Sequence, residues 1–75
     1  MANGFYTAQA TSLRTAITAL VAARKALDEC LDREEREAVA CSEFDDYLLM
    51  RSHITASLRE LEGQWDAVQA LASNE

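Results

Sequence analysis

Asp32-Arg-Glu-Glu-Arg-Glu37 runs straight into Ala38-Val-Ala-Cys41 and then into Ser42-Glu-Phe-Asp-Asp46. The first block has no apolar member and the second no polar one. The third has the form of a helix start: Ser42 as N-cap, Asp45 three positions on, and acidic residues in the first turn, where the backbone dipole favours them. The chain is therefore expected to turn near residues 39–42. No Gly or Pro marks the turn, so the competing reading is a single helix of about 65 residues that would have to supercoil with others. The acidic helix start favours the break, and with it two helices.

Downstream of the turn, Phe44, Tyr47, Arg51, Ile54, Leu58, Leu61, Trp65, Val68 and Ala72 step by three and four without a miss. A seven-residue repeat held this long specifies a helix crossing its neighbour at roughly 20° in a left-handed sense. Helix 2 is predicted over about residues 43–72, with Ser73-Asn-Glu75 fraying. Upstream, Leu13, Ala16, Ile17, Leu20, Ala23, Leu27, Cys30 and Leu31 follow the same steps, and Ala8, Ala10, Ala19, Ala22 and Ala26 add helix propensity. Helix 1 is predicted over about residues 5–39, with Asn3 or Thr7 capping its start. A connection this short makes the helices antiparallel neighbours. The expected fold is all-α, a single αα-hairpin domain spanning residues 1–75. Positions whose numbers sum to about 82 would then face each other, setting Ile17 opposite Trp65 and Leu31 opposite Arg51. That register brings Arg51 near Glu34 or Glu35, and Arg24 toward Leu58 and Glu62.

Composition bounds what such a hairpin can do. Its 75 residues fall in the range where one core seldom holds a fold without help from a metal, disulfides or a partner. Two Cys and one His are too few for a disulfide scaffold or the usual zinc sets, which leaves association. Eleven helical residues would put Cys30 and Cys41 roughly 16 Å apart, beyond disulfide reach. The net charge of −6 disfavours direct nucleic-acid binding, since phosphate contacts need clustered Lys and Arg. No apolar run is long enough for a membrane span, and Met1-Ala-Asn-Gly4 lacks the opening of a signal peptide, so a cytoplasmic protein is expected. Catalytic constellations are missing too. His53 stands seven and eight residues from Asp46 and Asp45, too far for a local dyad, and no Gly-rich phosphate loop or nucleophile motif occurs. Neither an enzyme nor a cofactor or metal site is expected.

Two features point to partners. Tyr47-Leu-Leu-Met50 sets four large apolar side chains about 100° apart around one helix, so at least one must point away from helix 1. Phe44, Tyr47, Leu48, Leu49 and Met50 are the candidate partner-binding residues, with Leu71 adding exposed apolar area. Phe5 and Tyr6 overhang the expected register and likewise want a surface. The second feature is charge: residues 28–46 hold nine acidic residues against Arg33 and Arg36, a net of −7, and the rest of the chain is +1. Glu34, Glu35, Glu37, Asp45 and Asp46 form an acidic tip at the turn end. Asp45 and Asp46 suit a helix N-terminus, whereas Glu34, Glu35 and Glu37 sit at the unfavourable end of a dipole, a hint of a use beyond stability.

The chain resembles the short helical-hairpin co-chaperones, the E component, that attend bacterial type III secretion needle subunits. The resemblance rests on total length, on Leu20-Val-Ala-Ala-Arg-Lys-Ala-Leu-Asp-Glu29 in the first helix and on Glu43-Phe-Asp-Asp-Tyr-Leu-Leu-Met50 opening the second, and it covers most of residues 13–68. It implies a cytoplasmic protein that, with a larger helical-repeat partner, keeps the needle subunit monomeric before export. It carries over no functional residue. The function expected is a non-enzymatic protein–protein interaction module, completed by a protein partner or by a second copy as a homodimer. The alternative is a small acidic inhibitor, of phage or mobile-element type, whose tip occupies a basic nucleic-acid-binding cleft.

Overall fold

The computed structural model of the protein describes residues 4–37 and 43–75. These form two α-helices, α1 (Phe5–Glu37) and α2 (Phe44–Ala72), packed against each other as an antiparallel hairpin, with no strand among the described residues. Helix starts and the end of α2 fall within a residue of expectation. The expected end of helix 1 near 39, the turn at 39–42, the Ser42 cap and Cys41 lie outside the described residues.

Two helices of this length make a rod, 58 × 14 × 13 Å, with a Cα radius of gyration of 17.0 Å. A compact chain of this size would have about 11 Å. The contact between the helices runs along two seven-residue columns on each. On α1 these are Ala10, Ile17, Arg24, Leu31 and Leu13, Leu20, Leu27, Glu34; on α2 they are Phe44, Arg51, Leu58, Trp65, Ala72 and Tyr47, Ile54, Leu61, Val68. All are buried or half-buried, but only Ala10, Leu31 and Leu58 are buried, because a second helix covers a line rather than a face. One expectation is corrected here: Ala23 is exposed, and Arg24 occupies the inner column. An Arg stem lies on apolar surface while its head reaches water, so the seven-residue column passes through a charged residue without a break.

The far end of the hairpin is tied more firmly than the sequence suggests. Gly4 adopts φ +84°, a left-handed conformation that a side chain would resist, and its carbonyl accepts from Ala8 N at 2.9 Å. The first N–H groups of α1 have no partner within the helix. Glu75 supplies one, with Oε1 accepting from Tyr6 N at 2.7 Å and Oε2 from Thr7 Oγ1 at 3.0 Å. Thr7 is thus a donor within the first turn, not the cap expected of it. Ser73-Asn-Glu75 does not fray: Ser73 N donates to Gln69 O, Asn74 N to Leu71 O and Glu75 N to Ala72 O. Glu75 reaching Tyr6 also closes the expected overhang. Phe5 and Tyr6 pack edge to face, 5.2 Å between centroids, and stay on the outside of the rod.

Hydrogen bonds from Tyr6 N, then Thr7, hold the Glu75 carboxyl below the usual carboxylate range, and they favour the charged form. The stabilisation is therefore present above the ordinary carboxylate pKa and is lost as pH falls through the lowered folded value. In an NMR titration the Tyr6 amide shift should move with a midpoint below that of a free Glu, and the transition should vanish in Glu75→Gln. A midpoint at or above the ordinary value refutes the clasp.

Trp65 is half-buried, shares a cleft with Ile17 as the register predicts, and lies under the Arg14 guanidinium 5.7 Å from the ring centroid. Trp65→Ala should cost about 3 kcal/mol in urea unfolding, a large part of what so small a domain has. A loss below about 1 kcal/mol, the scale of an exposed cation–π contact alone, would show the ring to be a surface feature.

Candidate functional site

Outside the seam, the hairpin has two flanks of opposite character. On the first, α1 contributes Arg14, Val21, Asp28 and Glu35 at sevens, and α2 contributes Leu48, Thr55, Glu62 and Gln69. Charges here reach across the seam. Arg51 Nη1 meets Asp28 Oδ1 at 2.8 Å, with both side chains part-exposed, and Arg14, Ile17, Thr18, Glu62 and Trp65 line one shallow cleft. The expected partners of Arg51, Glu34 or Glu35, are corrected to Asp28. The basic residue sharing the cleft with Glu62 is Arg14, not the Arg24 anticipated. Both Arg contacts, Arg51 with Asp28 and Arg14 with Trp65, sum to 79, whereas Tyr6 and Thr7 with Glu75 sum to 81 and 82, so each long Arg side chain reaches nearly one turn along the facing helix from the residue opposite it in the expected register. A part-exposed pair of this kind contributes about 0–1 kcal/mol, enough to bias register but too little to hold the fold.

The second flank carries no charge over its middle stretch; at sevens it runs on to Glu37 of α1 and back to Glu43 before α2, both at the tip end. Its columns are Ala16, Ala23 and Cys30 from α1 and Met50, Ser57, Gln64 and Leu71 from α2, bordering the inner columns that start at Leu13 and Tyr47. Short side chains at Ala16, Ala23 and Ser57 cannot roof the neighbouring leucines, which is why Leu13, Leu20, Leu27 and Leu61 are only half-buried. Cys30 is a half-buried free thiol on this flank, and Arg33 Nη2 lies 3.5 Å from its sulfur.

The run Tyr47–Met50 divides between these surfaces. Tyr47 and Leu48 are half-buried, Leu48 on the charged flank. Leu49 and Met50 are 56% and 43% exposed, with Met50 on the uncharged one. Phe44 is half-buried in the seam, and Leu71 is exposed at the other end of α2. The five candidate residues are therefore neighbours in sequence that do not make one patch. Sequence reading missed the uncharged flank, although its signal was present in the absence of charge at sevens from Ala16 to Cys30 and from Met50 to Leu71.

At the other candidate site, Glu35, Glu37, Asp45 and Asp46 are exposed, as a solvated tip requires. Glu34 differs, since it continues the inner column of Leu13, Leu20 and Leu27, and its Oε2 is buried without a hydrogen-bond partner among the described residues. The tip arginines turn back on α1 itself, Arg33 to Cys30 and Arg36 Nε to Asp32 O at 3.4 Å. Among the described residues no group of three or more His, Cys, Asp or Glu is placed to hold a metal ion, and His53 is exposed. No helix among them is long and apolar enough to cross a membrane. No family model, curated protein or solved structure matches the chain.

An unpaired carboxylate oxygen in the seam costs stability that a Leu there would restore. Glu34→Leu should raise the unfolding free energy by about 1 kcal/mol at any salt concentration. Glu35→Gln and Glu37→Gln should raise the melting temperature only at low salt, where repulsion in the −7 segment is unscreened. Denaturant and thermal melts in low and high salt separate the two effects. A Glu34→Leu variant less stable than the parent would mean that the carboxylate is structurally paired.

Proposed function

We propose that this chain is a non-enzymatic protein–protein interaction module, a helical hairpin that completes its core against other helices. The observation that carries this reading is the half-buried seam. Residues of the kind that normally form a core, Leu13, Leu20, Leu27, Ile54 and Leu61, keep part of their surface open along an uncharged flank, with Met50 and Leu71 exposed beside them. Monomeric proteins rarely leave such an apolar strip open along their whole length. Within this class we read the chain as a cytoplasmic co-chaperone of the type III secretion kind, supported by its length, its hairpin fold and the segments that resemble the E component. The exposed carboxylates at one end support a second reading, an acidic decoy for a basic nucleic-acid-binding cleft.

A photo-crosslinking amino acid in place of Met50, and separately in place of Ser52 on the outer side of α2, tests the module in its native cell. Adducts with a helical protein, another copy included, should form from position 50 and be scarce from position 52. No adduct from position 50 would refute the reading. Adducts formed only from a probe at Glu37 or Asp45, and with a nucleic-acid-binding protein, would favour the decoy instead.

A further inference from the structure

We infer that the uncharged flank is the seat of a second copy of this chain, laid antiparallel across a two-fold axis normal to the rod to give a four-helix bundle. This rests on the reading of the chain as an interaction module and names its partner. Three observations select the second copy.

The first is area. The chain exposes 5567 Å², whereas a compact monomer of 8.3 kDa exposes about 4,600 Å². The excess of about 1,000 Å² matches the roughly 800 Å² that each partner contributes to a stable interface of standard size. One further hairpin of the same dimensions is the right size of occupant.

The second is charge. A chain of net −6 can approach its own copy only through a surface that brings no carboxylates together. The stretch formed by Ala16, Ala23, Met50, Ser57, Gln64 and Leu71 meets that condition, provided that Glu37 and Glu43, which continue its columns at the tip, are kept from their counterparts; the opposite flank, with Asp28, Glu35 and Glu62 along its length, does not. The −7 segment lies at one end of a rod 58 Å long. An antiparallel two-fold sends the two tips to opposite ends, several Debye lengths of about 8 Å apart, while a parallel pair would place them side by side.

The third is shape. Large apolar side chains stand near both ends of the α2 column, Met50 and Leu71, and between them the polar Gln64 and the small Ser57 face the short Ala16 and Ala23 of α1 across the seam. A two-fold normal to the rod sets the Met50 end of one copy against the Leu71 end of the other, and the short side chains of Ala16, Ala23 and Ser57 let the helices approach closely.

Light scattering and small-angle scattering on the purified full chain, from micromolar to millimolar concentration, test this. The expected particle has twice the 8.3 kDa of one chain and a maximum dimension still near 58 Å. Ala23→Glu with Ser57→Glu, both at exposed positions, should halve the mass while far-UV circular dichroism stays helical. Ser52→Glu, with a charge on the outer side, should leave the mass doubled. Spin labels on Asn74→Cys, in a background of Cys30→Ala and Cys41→Ser, should lie near the full rod length apart. A parent that stays monomeric throughout overturns the inference, even if it binds a different helical protein, an outcome that leaves the module reading intact. A dimer that survives the double Glu substitution overturns the assigned face, as does one lost equally in Ser52→Glu. Short label separations overturn the antiparallel arrangement, and a particle about twice as long overturns side-by-side packing.

Discussion

Two helices touch along a line, and everything else in this protein follows from that geometry. A residue at the seam is covered by the facing helix from one side, and whether its other side is covered depends on what stands beside it. Where the neighbours are long, as Arg14 is beside Trp65, their stems and head groups close over the seam. Where they are short, as Ala16, Ala23 and Ser57 are, the leucines stay open. The three residues buried among those described, Ala10, Leu31 and Leu58, all belong to the columns that border the long-chained flank. Burial in this hairpin is therefore lopsided, and the side left open is the one without charge along its middle.

The charged flank fixes alignment more than stability. Each of its contacts is part-exposed, so water and salt weaken it to about 1 kcal/mol or less. Their value lies in number and spacing. Arg51 with Asp28 and Arg14 with Trp65 are set 14 residues apart on both helices, two repeats of seven, and both pairs sum to 79. A slip by one turn would lose both contacts together while leaving apolar residues opposite one another. Charge thus discriminates between registers that hydrophobic contact alone would treat as similar.

The ends of the rod are managed differently. At one end the Glu75 carboxylate satisfies α1 donors that no residue of α1 can reach, coupling the start of one helix to the close of the other. At the other end acidic residues accumulate, favourably at the start of α2 and unfavourably at the end of α1. The unpaired oxygen of Glu34 adds to that cost. A chain of marginal size that keeps an uncovered flank and a repulsive tip forgoes stability that a fuller core would supply, which is what the proposed association would restore.

Periodicity was sufficient to read the fold: a column held at sevens from Phe44 to Ala72 admits one helix, and the acidic start at residues 43–46 marked where it begins, since dipoles and hydrophobic stripes are properties of local sequence. Charge summed along the chain likewise located the tip. The tertiary structure alone decided which residues meet. Asp28 rather than Glu34 answers Arg51, because a long Arg side chain can reach a turn to either side of Leu31, the residue opposite it in the expected register, and the packed helices decide which. Arg24 rather than Ala23 lies inward, because at seven-residue spacing the inner position is set by the partner helix and not by hydropathy. Glu75 clasps Tyr6 across 69 positions, a pairing that no local pattern encodes. The uncharged flank was written in the sequence at every seventh residue, yet it became a surface only when the second helix placed Met50 and Leu71 beside Ala16 and Ala23, because a flank belongs to two helices and a periodicity to one.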